Sequence, residues 1–206
     1  MSNTLYGEEK SKEEIDKIKE QTKNTNQKIY PILKPGNWVG LKAGALSSNL
    51  IGSDIDAKVV IGYGMDTPDN FVFLTNSHLE TMDGPQILKV AYENLENFET
   101  EFEFSVALQN KVLTSSGYDF SSERILSKTH MMKAHTMLKA DELLVSIPRR
   151  SCMMVIPKDI ESELLNLFIQ LHNDAWYDDS YGNAPIANIL FVVKDGRITG
   201  HIALDE

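Results

Sequence analysis

A single cysteine, Cys152, stands in the 206 residues. The chain can close no disulfide within itself, and nothing points to an oxidising compartment. No run approaches the 18 or so consecutive apolar residues of a membrane-spanning helix. The opening stretch, MSNTLYGEEKSKEEIDKIKEQ, has no apolar core of the kind a signal peptide needs. A cytoplasmic location is therefore expected. Positive charge is in deficit, with 20 Lys+Arg against 30 Asp+Glu and a net charge of −10. That balance argues against general nucleic-acid binding, while leaving room for a local basic site. Catalytic signatures are also missing. There is no Gly-x-Ser-x-Gly elbow. The GYG at 62–64 is not continued into a dinucleotide-binding fingerprint. His130 and His135 are five apart, which on a helix sets them about 140° from each other and off the i, i+4 metal pattern. No cofactor and no metal site is expected.

What remains is an ordinary globular composition, 42% hydrophobic and 24% charged, in a length that suits one domain with an appendage. Residues 1–28 read as a polar helical appendage, and 29–206 as a single domain. Ser11 and Glu14 have capping-box spacing, and a helix is expected from about Lys12 to Ile29. Its apolar stripe, Ile15, Ile18 and Thr22, is thin. YPILKPG at 30–36 is expected to break that helix with its two prolines and glycine. Next, AKVVIGYGMD (57–66) and FVFLTN (71–76) read as a β-hairpin across TPDN. The glycines of GYG are expected to permit a bulge. Residues 84–98 carry Ile87, Val90, Ala91, Leu95 and Phe98 at helical spacing. One or two strands are expected in 100–120, and mostly helix in 121–142. LLVSIP and SCMMVIP read as two strands. A helix over 158–176 is expected to bury Ile160, Leu164, Leu167, Phe168 and Leu171. The chain ends in two strands joined at KDGR. The tight connections demand antiparallel pairs, so the fold class is α+β, a largely antiparallel mixed sheet with hairpins, covered by helices.

The residues that invite a chemical reading are few. Pro148–Arg149–Arg150 stands between two apolar runs. A guanidinium is a rigid fork for carboxylate or phosphate, so Arg149 and Arg150 are candidates for an anion or an acidic partner. The competing reading gives one arginine to a structural acid and the other to solvent. Ser77, His78 and Glu80 in TNSHLE suggest a nucleophile and base, but neighbouring residues in a strand point to opposite faces. A strand-end cap opened by Asn76 or Ser77 accounts for the same residues. His78 stays on the list of binding candidates. His172 with Asp174, Asp178 and Asp179 is an acidic cluster near a helix end that reads as a divalent-cation site or a solvated loop. Cys152 reads as a buried, inert thiol, or as one made reactive by the adjacent arginines.

IYPILKPGNWV, VVIGYGMDTPDNFVFLTNSHLE, AYENL and ELLVSIPRR occur in an order that resembles the YtpQ-like bacterial proteins, a family of unknown function. The resemblance covers roughly 29–204. Ser151 departs from the family pattern, which has aspartate after the arginine. The resemblance implies a fold and no established activity. Two functional expectations therefore stand side by side. One is a cytoplasmic binding or interaction module, its partner an unknown protein or a small anionic ligand, monomeric or homo-oligomeric. The other is a hydrolase-type enzyme using dispersed carboxylates and His78, with or without a metal.

Overall fold

The computed structural model describes residues 28–204 apart from 81, 118, 179 and 181–183, together with residues 11–13, 16, 17 and 20. Two antiparallel sheets share one core. In the first, β3 (Ala57–Asp66) is the spine. β1 (Ile29–Pro35) pairs along one side of it. β2 (Ser47–Gly52) and the short β4 (Phe71–Phe73) share the other side. The second sheet holds β5 (Glu103–Phe104), β6 (Leu113–Thr114), β7 (Glu142–Ser146), β8 (Met154–Pro157), β9 (Ile189–Lys194) and β10 (Arg197–Ala203), in the order β10-β9-β7-β8-β6-β5. The helices are α1 (Val39–Lys42), α2 (Gly84–Glu96), α3 (Lys128–Leu138) and α4 (Ser162–Tyr177). The α+β class and the antiparallel hairpins are as expected.

Side chains along a strand alternate between the two faces of a sheet, and β7 shows what that does here. Leu143, Val145 and Ile147 enter the large core with Ile61, Tyr63, Ile125 and Met131. Leu144 points the other way and packs with Ile156, Leu164 and Phe168 under α4. A strand covered on both faces reads as a continuous apolar run, which is why LLVSI shows no alternation.

β1 replaces the expected helix break. Ile29, expected as a helix end, opens this strand instead. Leu33 N–H points away from β3 and donates to Glu123 Oε1 at 3.1 Å. Ile29 C=O also points outward and accepts from Asn94 Nδ2 at 3.0 Å. Pro31 and Pro35 share this parity, so their missing N–H groups fall on the outer edge and cost no ladder bond. Of the appendage, residues 12, 13, 16, 17 and 20 are helical and exposed. Lys17 Nζ reaches Asp69 Oδ2 at 2.9 Å. Ile15, Ile18 and Thr22 lie outside the described residues.

The GYG glycines do a different job from the one expected. The register shifts lie in β2, around Ile51. A Cβ on Gly64 would fall 2.3 Å from the Phe71 ring, and one on Gly62 would fall 3.0 Å from both Phe73 and Trp38. The glycines let aromatic rings lie flat across the strand. The returning strand ends at Phe73, and Asn76–Glu80 forms a 3-10 turn. Of the face expected for α4, Ile160 lies before the helix, and both Ile160 and Leu171 are part-buried. Leu164 and Phe168 are buried, but Leu167 is 39% exposed. Each residue turns the helix by about 100°, and the buried stripe 164–168–172 leaves 167 on its flank.

Candidate anion-binding site

The connection from β7 to β8 carries the arginine pair. Pro148 C=O accepts from Ile186 N–H at 2.8 Å, and Cys152 N–H donates to Arg149 C=O at 3.3 Å. Ser151 takes a left-handed φ of 60°, and its N–H donates to Ser122 Oγ at 2.7 Å. These bonds fix the turn and send successive side chains to opposite sides.

Arg149 turns inward and is 3% exposed. Its Nε donates to Ala175 C=O at 2.5 Å, and Nη2 donates to Trp176 C=O at 2.7 Å. Those carbonyls belong to the last turn of α4, where acceptors lack helical partners and the dipole is negative. This arginine is a helix cap.

Arg150 turns toward the first sheet and is half-buried. It lines a small cavity of about 120 Å³ with Leu33, Lys34, Pro35, Pro185 and Ile186. Lys34 supplies the second cation. Its ammonium lies 5.1 Å from the centre of the Phe73 ring and 5.6 Å from that of Trp38, the rings that Gly62 admits. Burial holds the Lys34 pKa below its ordinary value, Arg150 pushes it further down, and Glu123 opposes both. Glu123 sits behind, fully buried. Burial raises its carboxyl, against the backbone donors, Arg150 and Lys34, which pull it down. Burial, with Asp119, raises the Asp66 carboxyl, against a smaller downward pull from Arg150. The cluster therefore joins both sheets. Glu123 is bonded to β1, the neighbouring Ser122 is bonded to the arginine turn, and Lys34 is in β1 itself.

The other candidates go elsewhere. His78 lies in the 3-10 turn, where Nδ1 accepts from Thr75 N–H at 3.1 Å and meets Thr75 Oγ1 at 2.9 Å. Thr75 Oγ1 also meets Ser77 Oγ at 2.8 Å. The triplet closes the end of the hairpin, and His78 is not among the described residues lining the Arg150 cavity. His130 stacks on Phe102 at 4.1 Å. Gly196 N–H donates to His135 Nε2, so Nδ1 carries the proton and donates to Ala140 C=O at 2.8 Å. His172 faces the core, with Nδ1 2.9 Å from Ser146 Oγ, while Asp174 on the same helix is exposed. Asp179 lies outside the described residues. No group of three or more His, Cys, Asp or Glu is placed to hold a metal among the described residues. Burial pushes the Cys152 thiol up, and Ser116 pulls it only partly back, the opposite of what activation by the arginines requires. A larger bowl of about 590 Å³ lies at the start of β7. There Glu142 already meets Lys158 at 2.8 Å and Lys194 at 3.6 Å, so those cations are compensated.

The buried histidines have a pH consequence. Burial lowers His130 to about 3 and His172 to about 4. In the unfolded chain each protonates near pH 6.5. Below that value the unfolded state binds more protons, so stability is lost as pH falls. Each histidine is expected to cost on the order of 1.4 kcal/mol per pH unit from about 6.5 down toward its folded value. Urea midpoints at pH 7 and pH 5 check this, and His172→Gln should flatten the slope.

Reasoning from sequence missed Lys34 and Glu123. For Lys34 the available signal was a charge after the apolar run YPIL; Glu123, between Ser122 and Arg124, carried none. Comparison with family models, with curated proteins and with solved structures finds no match for this chain.

Proposed function

We propose that the chain is a binding module for a small anion or an acidic segment of a partner, with Arg150 and Lys34 as its two cations. The observation that carries this reading is the pair itself. Two side chains of like charge, both half-buried, line one small cavity whose other walls are mainly apolar and proline. Arg150 holds the Lys34 pKa down and Glu123 opposes it, and an anion in the cavity would add to that opposition. On a molecule of net charge −10, such a site would be a local exception to the surrounding field. The resemblance to the YtpQ-like proteins brings no activity with it, so the proposal stands on the cavity. The hydrolase reading loses its main support, because His78 is engaged with Thr75 and lies outside this cluster.

Thermal unfolding in rising inorganic phosphate, at constant ionic strength set with chloride, tests the reading. Ligand at 100 times its Kd stabilises a protein by about 2.7 kcal/mol, which for this length is a rise of roughly 5–10 °C. Arg150→Gln and Lys34→Gln should each abolish the rise, and Arg197→Gln should keep it. A wild-type midpoint that ignores phosphate would overturn the proposal.

A further inference from the structure

We propose that the outer edge of β10 pairs with β10 of a second copy of this chain, antiparallel about a two-fold axis at Ile202, joining the larger sheets of the two copies into one. A sheet edge is a row of unpaired N–H and C=O groups, and most proteins blunt it. The other edges here are blunted. β1 carries two prolines, and its outer groups are bonded to Glu123 and Asn94. β2 is broken by register shifts around Ile51. β4 and β5 have three and two residues. β10 is seven residues long, with no proline and no lysine. It has a bulge between Ile198 and Gly200, beyond which Gly200 to Ala203 pair with β9 without a shift. His201, Ile202 and Ala203 are all exposed. Neighbours on a strand point to opposite faces, so nothing among the described residues covers either face there.

The strand is complementary to itself. Leu204 N–H donates to Asn188 C=O at 3.2 Å, so the backbone groups of Gly200, Ile202 and Leu204 turn toward β9, and those of His201 and Ala203 turn outward. Among the described residues these outward groups have no hydrogen bond. In an antiparallel pair centred on Ile202, His201 of one copy lies opposite Ala203 of the other, and each such pair exchanges both of its bonds. Ile202 then meets its own counterpart at the close Cα spacing, about 4.5 Å, of a non-hydrogen-bonded pair. Ile202 is 43% exposed. It lies on the face of Leu190, its partner in β9, which belongs to the core beneath α4. Pairing therefore extends that core across the axis. Charge fits the same register. The strand opens on Arg197 and runs into Asp205 and Glu206. Antiparallel copies set the basic end of each against the acidic end of the other, whereas parallel copies set like charges together. The net charge of −10 opposes association elsewhere, and one strand edge buries less than the roughly 1,200 Å² of a standard stable interface, so the dimer is reversible. No described residue of β10 lines the Arg150 cavity, which makes dimerisation and anion binding separable.

Sedimentation velocity on the full chain, from low to high micromolar concentration, tests this. A shift from monomer to dimer is expected. His201→Pro removes an outward N–H and leaves the bonds to β9, and Ile202→Lys puts a charge on the axis. Each should abolish the shift, while Val106→Lys, at an exposed apolar residue elsewhere, should keep it. Cross-linking in a Cys152→Ser background reads the register. A Cα spacing of about 4.5 Å falls within the disulfide range, so Ile202→Cys should oxidise to a covalent dimer at least about fivefold more than His201→Cys, which faces Ala203. In the wild type, the amides of His201 and Ala203 should exchange with solvent more slowly as concentration rises. A wild-type chain that stays monomeric, with no such protection, would overturn the proposal whether or not the variants fold. So would a dimer that persists in both His201→Pro and Ile202→Lys, or equal cross-linking of Ile202→Cys and His201→Cys.

Discussion

Arg149→Gln is expected to destabilise the protein by about 2–4 kcal/mol, a fall in Tm of roughly 5–15 °C for this length. Arg150→Gln, one residue later, should cost no more than about 1 kcal/mol. The difference lies in what each guanidinium touches. Arg149 donates to the carbonyls of Ala175 and Trp176 from a buried position. Glutamine is shorter and cannot reach both, which leaves part-buried acceptors of α4 without a donor. Arg150 is half-buried along a cavity wall and caps no helix end among the described residues. Chemical denaturation of the two variants side by side gives the comparison. Equal losses would mean that Arg150 also holds the fold together, and the cavity would then be a structural junction.

Phe168→Ala should cost about 3–5 kcal/mol, as expected for a large buried aromatic. Leu167→Ala should cost under about 1 kcal/mol. Phe168 is 0% exposed between Leu144, Ile156 and Leu190, whereas Leu167 is 39% exposed. Similar urea midpoints for the two variants would mean that α4 is rotated from the orientation described.

That pair also marks how far the sequence could be read. Helical spacing located α4 and put Leu164 and Phe168 in the core. It placed Leu167 on the buried face, where the structure buries His172 instead. Hydropathy favours the leucine, but the bond between Ser146 and His172 makes a buried histidine acceptable, and only the opposing strand reveals it. β1 was hidden for a related reason. Two prolines argue against a strand unless it lies at an edge with its outer groups satisfied, and those partners, Glu123 and Asn94, are 90 and 65 residues away from the atoms they meet. The site divides in the same way. The arginine pair stood out as charge between apolar runs. That its members part, one to a helix end and one to Lys34, is set by Ser122, Ala175 and Trp176, none of them near the pair in sequence. Long-range hydrogen bonds leave little trace in periodicity or composition.

The central claim is that two adjacent arginines have separate duties, Arg149 as a helix cap and Arg150 as an anion ligand. The chain has four arginines, Arg124, Arg149, Arg150 and Arg197, so their Nε–H signals can be resolved and assigned in one 1H–15N spectrum. A titration with inorganic phosphate at constant ionic strength reads both duties together. The account predicts that the Arg150 signal moves and saturates, while the Arg149 signal stays fixed and slow to exchange with solvent. An Arg149 signal that moves with phosphate, or an Arg150 signal that does not, would contradict it.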